Sequence, residues 1–151
     1  MGWKTLDQME LEGKRVLTRV DLNVPIKDEK ISDDTRIKKI IPTLSHIIKR
    51  GGLPILVAHL GRPNGQRNPH LSFAKIFADI EKLIGLPLIF AADCIGTAAE
   101  LAVKSQKTGG VVLLENTRFH EGEEKNSIAF AKSLAKLADI YCNDAFSCAH
   151  R

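Results

Sequence analysis

The sequence predicts an open, doubly wound α/β domain: a three-layer, mainly parallel sheet with helices on both faces. Three observations lead there. Short β-prone runs alternate along the chain with apolar stripes at the helical period. The runs lack the in–out alternation of a half-exposed sheet, as in Val111-Val112-Leu113-Leu114, which suits strands covered on both sides. The size fits one globular domain: 151 residues, 44% hydrophobic and 26% charged, can bury roughly 70% of the unfolded surface.

Residues 16–20 are a β-prone run that ends in polar Asp21-Leu22-Asn23-Val24-Pro25. The charged tip 27–30, between Ile26 and Ile31, suits a small hairpin. Ile37, Ile40, Ile41, Leu44, Ile47 and Ile48 form one helical stripe. Ser32, Asp33 and Asp34 supply caps and negative charge at its positive end. Gly51-Gly52 ends it, and Pro42 predicts a kink or a late start. Residues 53–58 read as a buried strand, and 59–70 as a Gly/Pro/Asn loop. Phe73, Ile76, Phe77, Ile80, Leu83 and Ile84 mark one further helix, with Ser72 as cap and Gly85 as stop. A strand at 86–90, an Ala-rich helix at 97–106, a strand at 111–114, a helix at 126–138 and a strand at 139–143 complete the order. Strands joined by crossover helices run parallel, with right-handed crossovers. No helix follows the last strand to cover it, so a cut chain is expected.

Composition narrows the function classes. No apolar run approaches the ~18 residues of a membrane helix, and the N-terminus lacks the apolar core of a signal peptide. Cys94, Cys142 and Cys148 are an odd count without metal or disulfide spacing, so they read as small apolar fillers in a reducing cytoplasm. Net charge +4 makes an anionic partner plausible, and its sign does not separate nucleic acid from a small phosphate ester. There is no G-x-x-x-x-G-K-[ST], G-x-G-x-x-G or G-x-S-x-G.

Ligands of open α/β sheets bind outside the carboxyl ends of the strands. Asp21, Asn23 and Arg36 follow the first strand; His59, Gly61 and Arg62 the second; Glu115, Asn116 and Arg118 the fourth; Asp144, His150 and Arg151 the last. Arginine binds phosphate or carboxylate bidentately and keeps its charge. Four guanidiniums on one rim repel one another without an anion. The inferred ligand is a small, multiply charged anion with hydroxyls, met by Asp21 and Asn23. His46, His70 and His120 read as surface residues, and 121–125 as a solvated helix entry.

These residues also carry a family pattern. Arg19–Pro25 matches R-V-D-[FL]-N-V-P, Asp33–Ile37 contains D-x-R-I, and His59–Pro63 is H-L-G-R-P. Leu113–Phe119 with Glu123-Glu124 matches L-L-E-N-x-R-F…E-E, and Asn143–Arg151 matches N-D-A-F-x-x-A-H-R. The chain resembles the phosphoglycerate kinases. The resemblance implies a Rossmann-like, two-domain kinase of glycolysis. Such an enzyme moves a phosphoryl group between 1,3-bisphosphoglycerate and ADP, giving 3-phosphoglycerate and ATP, with Mg²⁺. This chain is then most of the N-terminal, 3-phosphoglycerate-binding domain (residues 1–151, incomplete), without the C-terminal nucleotide domain. His59, Arg62, Arg118 and Arg151 are implied to clamp the 3-phosphate, and Asp21 and Asn23 to hold the hydroxyl and carboxyl end. Arg36 is implied at the reaction centre, as the catalytic residue. Mg-ATP or Mg-ADP belongs to the full-length enzyme, with no nucleotide or metal held by this chain. The chain is expected to be a cytoplasmic monomer, inactive alone, with no nucleic-acid or membrane partner. A stand-alone anion-binding module is the rival reading. Nucleic-acid binding fits less well, because aromatics are only 5% and the basic residues form a rim rather than a stripe.

Overall fold

The computed structural model describes residues 10–125 and 127–143. Its main sheet has five parallel strands, β1 (Arg15–Arg19), β4 (Leu53–Val57), β5 (Leu88–Ala91), β6 (Val111–Leu114) and β7 (Ile140–Asn143), in the order β5-β6-β4-β1-β7. The sequence 26–31 forms the expected hairpin, β2 (Ile26–Lys27) against β3 (Lys30–Ile31). Its tip residues Asp28 and Glu29 both have positive φ, 52° and 63°, which suits a tight two-residue hairpin turn.

Helices cover both faces, as the continuous apolar strands require. On one face α1 (Thr35–Lys49) and α2 (Phe77–Ile84) bury Ile37, Ile40, Leu44, Ile80 and Ile84 against Leu56, Leu88, Val111 and Leu113. On the other, α3 (Gly96–Lys104) and α5 (Ile128–Ala135) bury Ala99, Val103 and Phe130 against Ile55, Val57, Val112 and Leu114. Adjacent strand residues thus feed opposite cores, and β6 is buried at all four positions. A third cluster, Leu11, Val16 and Ile47, packs with Ile140 and Cys142.

The element ends show where local chemistry was legible. Helix α1 runs unbroken through Pro42, neither starting late nor stopping there. Its first turn is held by Asp33, whose Oδ1 accepts from the Thr35 N–H at 2.9 Å and the Thr35 hydroxyl at 2.6 Å. Asp34 stands at the N-cap position without a side-chain cap bond. The C-terminus closes as a Schellman motif, Gly52 N–H to Ile47 O and Gly51 N–H to Ile48 O, with Gly51 at φ 81°. The single helix expected over 73–84 is two pieces. A 3-10 turn, Phe73–Lys75, is capped by Ser72, and α2 starts only at Phe77. The Phe73 N–H donates to Glu115 Oε1 at 3.0 Å, so a tertiary partner takes hold of the first turn. The helix expected over 126–138 is shorter, Ile128–Ala135, with Ser127 as its cap.

Leu113 is fully buried on β6, an inner strand of the sheet. Leu113→Ala is expected to cost about 2–5 kcal/mol through lost burial and the cavity left. Urea denaturation checks it, as a lower midpoint with an unchanged slope.

Candidate functional site

Register brings the carboxyl ends of the strands level. Arg19 pairs with Val57 and with Asn143, Leu56 with Leu113, and Ala91 with Leu114. The chain leaves β4 for α2 on one face, whereas it leaves the neighbouring β6 for α5 on the other. Connections that diverge in this way open a crevice at the strand ends. His59 follows β4 and Arg118 follows β6, so both stand at that crevice. Asp21, Asn23 and Arg36 come from the end of β1, the next strand over.

The polar interior is concentrated here. The buried polar residues among those described are Thr18, Glu115, Asn116, Thr117 and Glu123, and all but Thr18 belong to the segment after β6. Glu115 accepts from the Phe73 and Asn116 N–H groups at 3.0 and 2.9 Å and from the Ser72 hydroxyl. Asn116 Nδ2 donates to Leu60 O at 2.7 Å and Leu71 O at 3.0 Å, while its Oδ1 accepts from the Arg118 N–H. The Thr117 N–H and hydroxyl both donate to Ala58 O. These bonds lash the β6 loop to the β4 loop on either side of His59.

Near the end of β1, Asp21 Oδ1 accepts from the Asn23 N–H at 3.0 Å and from Arg36 Nη1 at 3.4 Å. Arg36 Nη1 also donates to Asn23 O. Asn23 Oδ1 accepts from the Gly61 N–H at 2.9 Å, which joins this group to the Arg62 loop and leaves the Asn23 NH₂ as the donor end. Gly61 has φ 63°, and a Cβ there would meet Leu71 Cδ2 at 2.7 Å. Glycine suits the turn that sets Arg62 outside the sheet. Arg62 is exposed and has no ion pair among the described residues. A shallow cleft of about 460 Å³, lined by Asn23, Val24, Pro25, Asp33 and Arg36, opens beside this group.

Electrostatics tie the two groups together. Burial, and next the Arg118 guanidinium, push the His59 imidazole down to about 4; Arg19 adds to the shift, while Glu123 and Asp21 oppose it. His59 is therefore neutral at pH 7 and offers one N–H donor and one acceptor nitrogen. Glu123 and Arg19 are the members that sequence reasoning missed. Read as part of a solvated helix entry, Glu123 is instead buried, in the short helix α4 (Glu121–Glu124). Its Oε1 lies 3.4 Å from Arg19 Nη2 and its Oε2 2.9 Å from Arg118 Nε. The signal available was a pair of arginines at two strand ends with one acidic run nearby. Arg151 lies outside the described residues.

His120 also departs from its surface reading. Its Nε2 is 2.7 Å from Asp93 Oδ1, and its ring lies 5.6 Å from that of Phe130. With Cys94, these residues place three ligand atoms within 4.8 Å of one another, a grouping that local spacing did not reveal. Burial, then the Asp93 carboxylate, pushes the Cys94 thiol up, so it stays protonated in the apolar cluster as a filler. The Asp93–His120 pair ties the β5 loop to the β6 loop. Arg67 does the same for the Arg62 loop, donating to Ala92 O at 3.1 Å and lying 5.6 Å from the Phe119 ring centre.

A family model for phosphoglycerate kinase matches residues 6–151. The chain belongs to the phosphoglycerate kinase family. The phosphoglycerate kinase of Ruegeria sp. (strain TM1040) is 54% identical over 151 residues, 100% of this chain and 38% of that protein. That of Bartonella henselae (strain ATCC 49882 / DSM 28221 / CCUG 30454 / Houston 1) is 51% identical over the same share. The solved phosphoglycerate kinase structure from Coxiella burnetii superposes with TM-score 0.81 at 35% identity, covering 97% of this chain and 36% of that one. The one from Pyrococcus horikoshii OT3 gives 0.84 at 32%, covering 97% and 37%. The chain thus spans about 38% of the length of its curated relatives. The mainly parallel α/β sheet expected from the sequence is the fold of this family. No helix among the described residues is long and apolar enough to cross a membrane.

The His59 shift has a pH signature. Between its ordinary 6.5 and about 4, the unfolded chain takes up a proton that the folded chain refuses. Stability therefore falls as pH drops through this window, and His59 adds no further loss below it. In His59→Gln the melting temperature is expected to fall less between these pH values than in the parent chain, as followed by circular dichroism.

Proposed function

We propose that this chain is the glycerate-binding half of a phosphoglycerate kinase, holding 3-phosphoglycerate or 1,3-bisphosphoglycerate at the carboxyl ends of β1, β4 and β6. One observation carries the reading. Three adjacent strands deliver Arg36, His59 and Arg118 to one rim, with Asn23 tying the Arg62 loop to the Arg36 group. In this reading His59, Arg62, Arg118 and Arg151 hold the phosphate that is not transferred. Each charge-assisted hydrogen bond contributes about 1.5–3 kcal/mol. Asp21 accepts from a substrate hydroxyl, and the Asn23 NH₂ donates to a carboxyl oxygen. Arg36 is half-exposed and its guanidinium rests on Asp21 and the Asn23 carbonyl. It turns from these to the reacting acyl phosphate, where fixed positive charge stabilises the phosphoryl group in flight.

The described residues do not fit a magnesium–nucleotide complex. The rim carboxylates are committed: Asp21 to Arg36, Glu115 to Ser72, Phe73 and Asn116, and Glu123 to Arg19 and Arg118. The strand-end loops also lack the glycine pattern that wraps nucleotide phosphates. In this reading the nucleotide and its metal belong to the remaining length of the relatives, and the chain alone turns over no substrate. It works as a cytoplasmic, monomeric half-site for a small anionic substrate.

Thermal melting tests the reading. At 100 times its dissociation constant, 3-phosphoglycerate adds about 2.7 kcal/mol to the folded state, which raises the melting temperature by several degrees. Sulfate at matched ionic strength is expected to do less, and Arg62→Ala to lose the shift. No shift with 3-phosphoglycerate in the parent chain would overturn the site assignment. Turnover of the isolated chain in a coupled kinase assay would overturn its assignment as a half-site.

A further inference from the structure

We infer that Glu123 is a positioning residue of the anion site. Its carboxylate sets the spacing and tilt of Arg19 and Arg118 across the end of β4, and so makes the rim selective for a shaped phosphate ester over a bare oxyanion. The inference rests on the reading of the rim as a 3-phosphoglycerate site.

The geometry is that of a bridge. Arg19 closes β1 and Arg118 follows β6, and β4 lies between these strands. Neighbouring strands lie about 4.8 Å apart, so a gap of about 9.6 Å separates the two strand ends. One carboxylate spans it, using one oxygen for each guanidinium. All three side chains are largely withdrawn from water, with 15%, 12% and 4% exposure for Arg19, Arg118 and Glu123. His59, at the end of β4, feels all three charges.

Stability is a poor reason for this arrangement. Buried ion pairs repay little of their desolvation. Orientation is the better reason. Contact at Nε sets the plane of the Arg118 guanidinium without using its terminal nitrogens in this ion pair. The mount is also stiff. A Cβ on Gly122 would meet Phe130 Cβ at 2.8 Å, so α4 seats directly on α5. The Ser127 N–H donates to Gly122 O at 2.9 Å, and the Glu123 N–H to His120 O at 3.2 Å.

Removing the charge of Glu123 has opposed effects. The rim becomes more positive, which favours any anion. The Arg118 guanidinium loses the carboxylate that orients it against Arg19, which harms only a ligand that needs Arg118 in place. Selectivity is therefore the readout, since a merely structural role lowers the melting temperature without moving it. The dissociation constants of 3-phosphoglycerate and sulfate are to be measured by calorimetry on the chain, Glu123→Gln and Glu123→Asp, at a temperature where all are folded. The His59 ring is to be titrated by NMR in parallel. Both variants are expected to bind 3-phosphoglycerate about tenfold more weakly, the loss for one charged hydrogen bond, with sulfate held or tightened in Glu123→Gln. The His59 titration should move down in Glu123→Gln, which loses a charge that holds it up, and stay near the parent value in Glu123→Asp. The shortened aspartate keeps the charge but not the span, so its loss of selectivity separates position from potential. Parent-like selectivity in either folded variant would overturn the inference while leaving the substrate reading intact. A parent chain that does not prefer 3-phosphoglycerate to sulfate would instead overturn the substrate reading, and this inference with it.

Discussion

A carboxylate held between two guanidiniums is the interaction around which the rim of this sheet is arranged. Cations gathered at one edge of a folded chain repel, and the repulsion grows as water is excluded from between them. Glu123 answers this for Arg19 and Arg118, and Asp21 does so for Arg36 at a more exposed point. Arg62 has no ion pair among the described residues and sits on a glycine turn outside the sheet. The rim thus grades from a buried, braced interior to an open lip, and the neutral ring of His59 lies at the braced end.

Such a rim needs a rigid frame, and the parallel sheet supplies one. Strand register sets the depth at which each loop leaves the core, and the buried polar segment after β6 sets the lateral spacing. Glu115, Asn116 and Thr117 use their side chains on backbone groups of the β4 loop and the turn at Phe73. Polar groups at such depth are costly unless paired. Placed around His59, they position backbone for the site. Arg67 and the Asp93–His120 pair extend the same lashing outward to the Arg62 loop and the end of β5.

Much of this was legible in the sequence. The alternation of stripes and apolar runs determined the α/β class and every strand of the main sheet to within two residues, because hydrophobic periodicity is a local record of burial. The strand-end positions of Asp21, Asn23, Arg36, His59, Arg62 and Arg118 followed from the order of elements, because a parallel sheet sends all its carboxyl ends to one side. Four of the five family motifs stand on these same residues. Turn chemistry was read well at Gly51-Gly52, Gly85 and Ser72.

Tertiary structure decided what long-range partners decide. Glu123 reads locally as one acid in a charged run; only the folding of α4 onto α5 carries it beneath two arginines that are distant in the chain and come from opposite sides of β4. Asp93, Cys94 and His120 have no spacing that marks them, yet two loops bring them together. Pro42 had the local chemistry of a helix breaker, and α1 runs through it under the packing of Ile37, Ile40, Leu44 and Ile47. Sequence by itself determined that Asp21, Asn23, Arg36, His59, Arg62 and Arg118 reach the rim, because that follows from chain order and sheet direction. The fold decided which of them are braced, buried and neutral, because pairing and desolvation depend on neighbours that chain order does not specify.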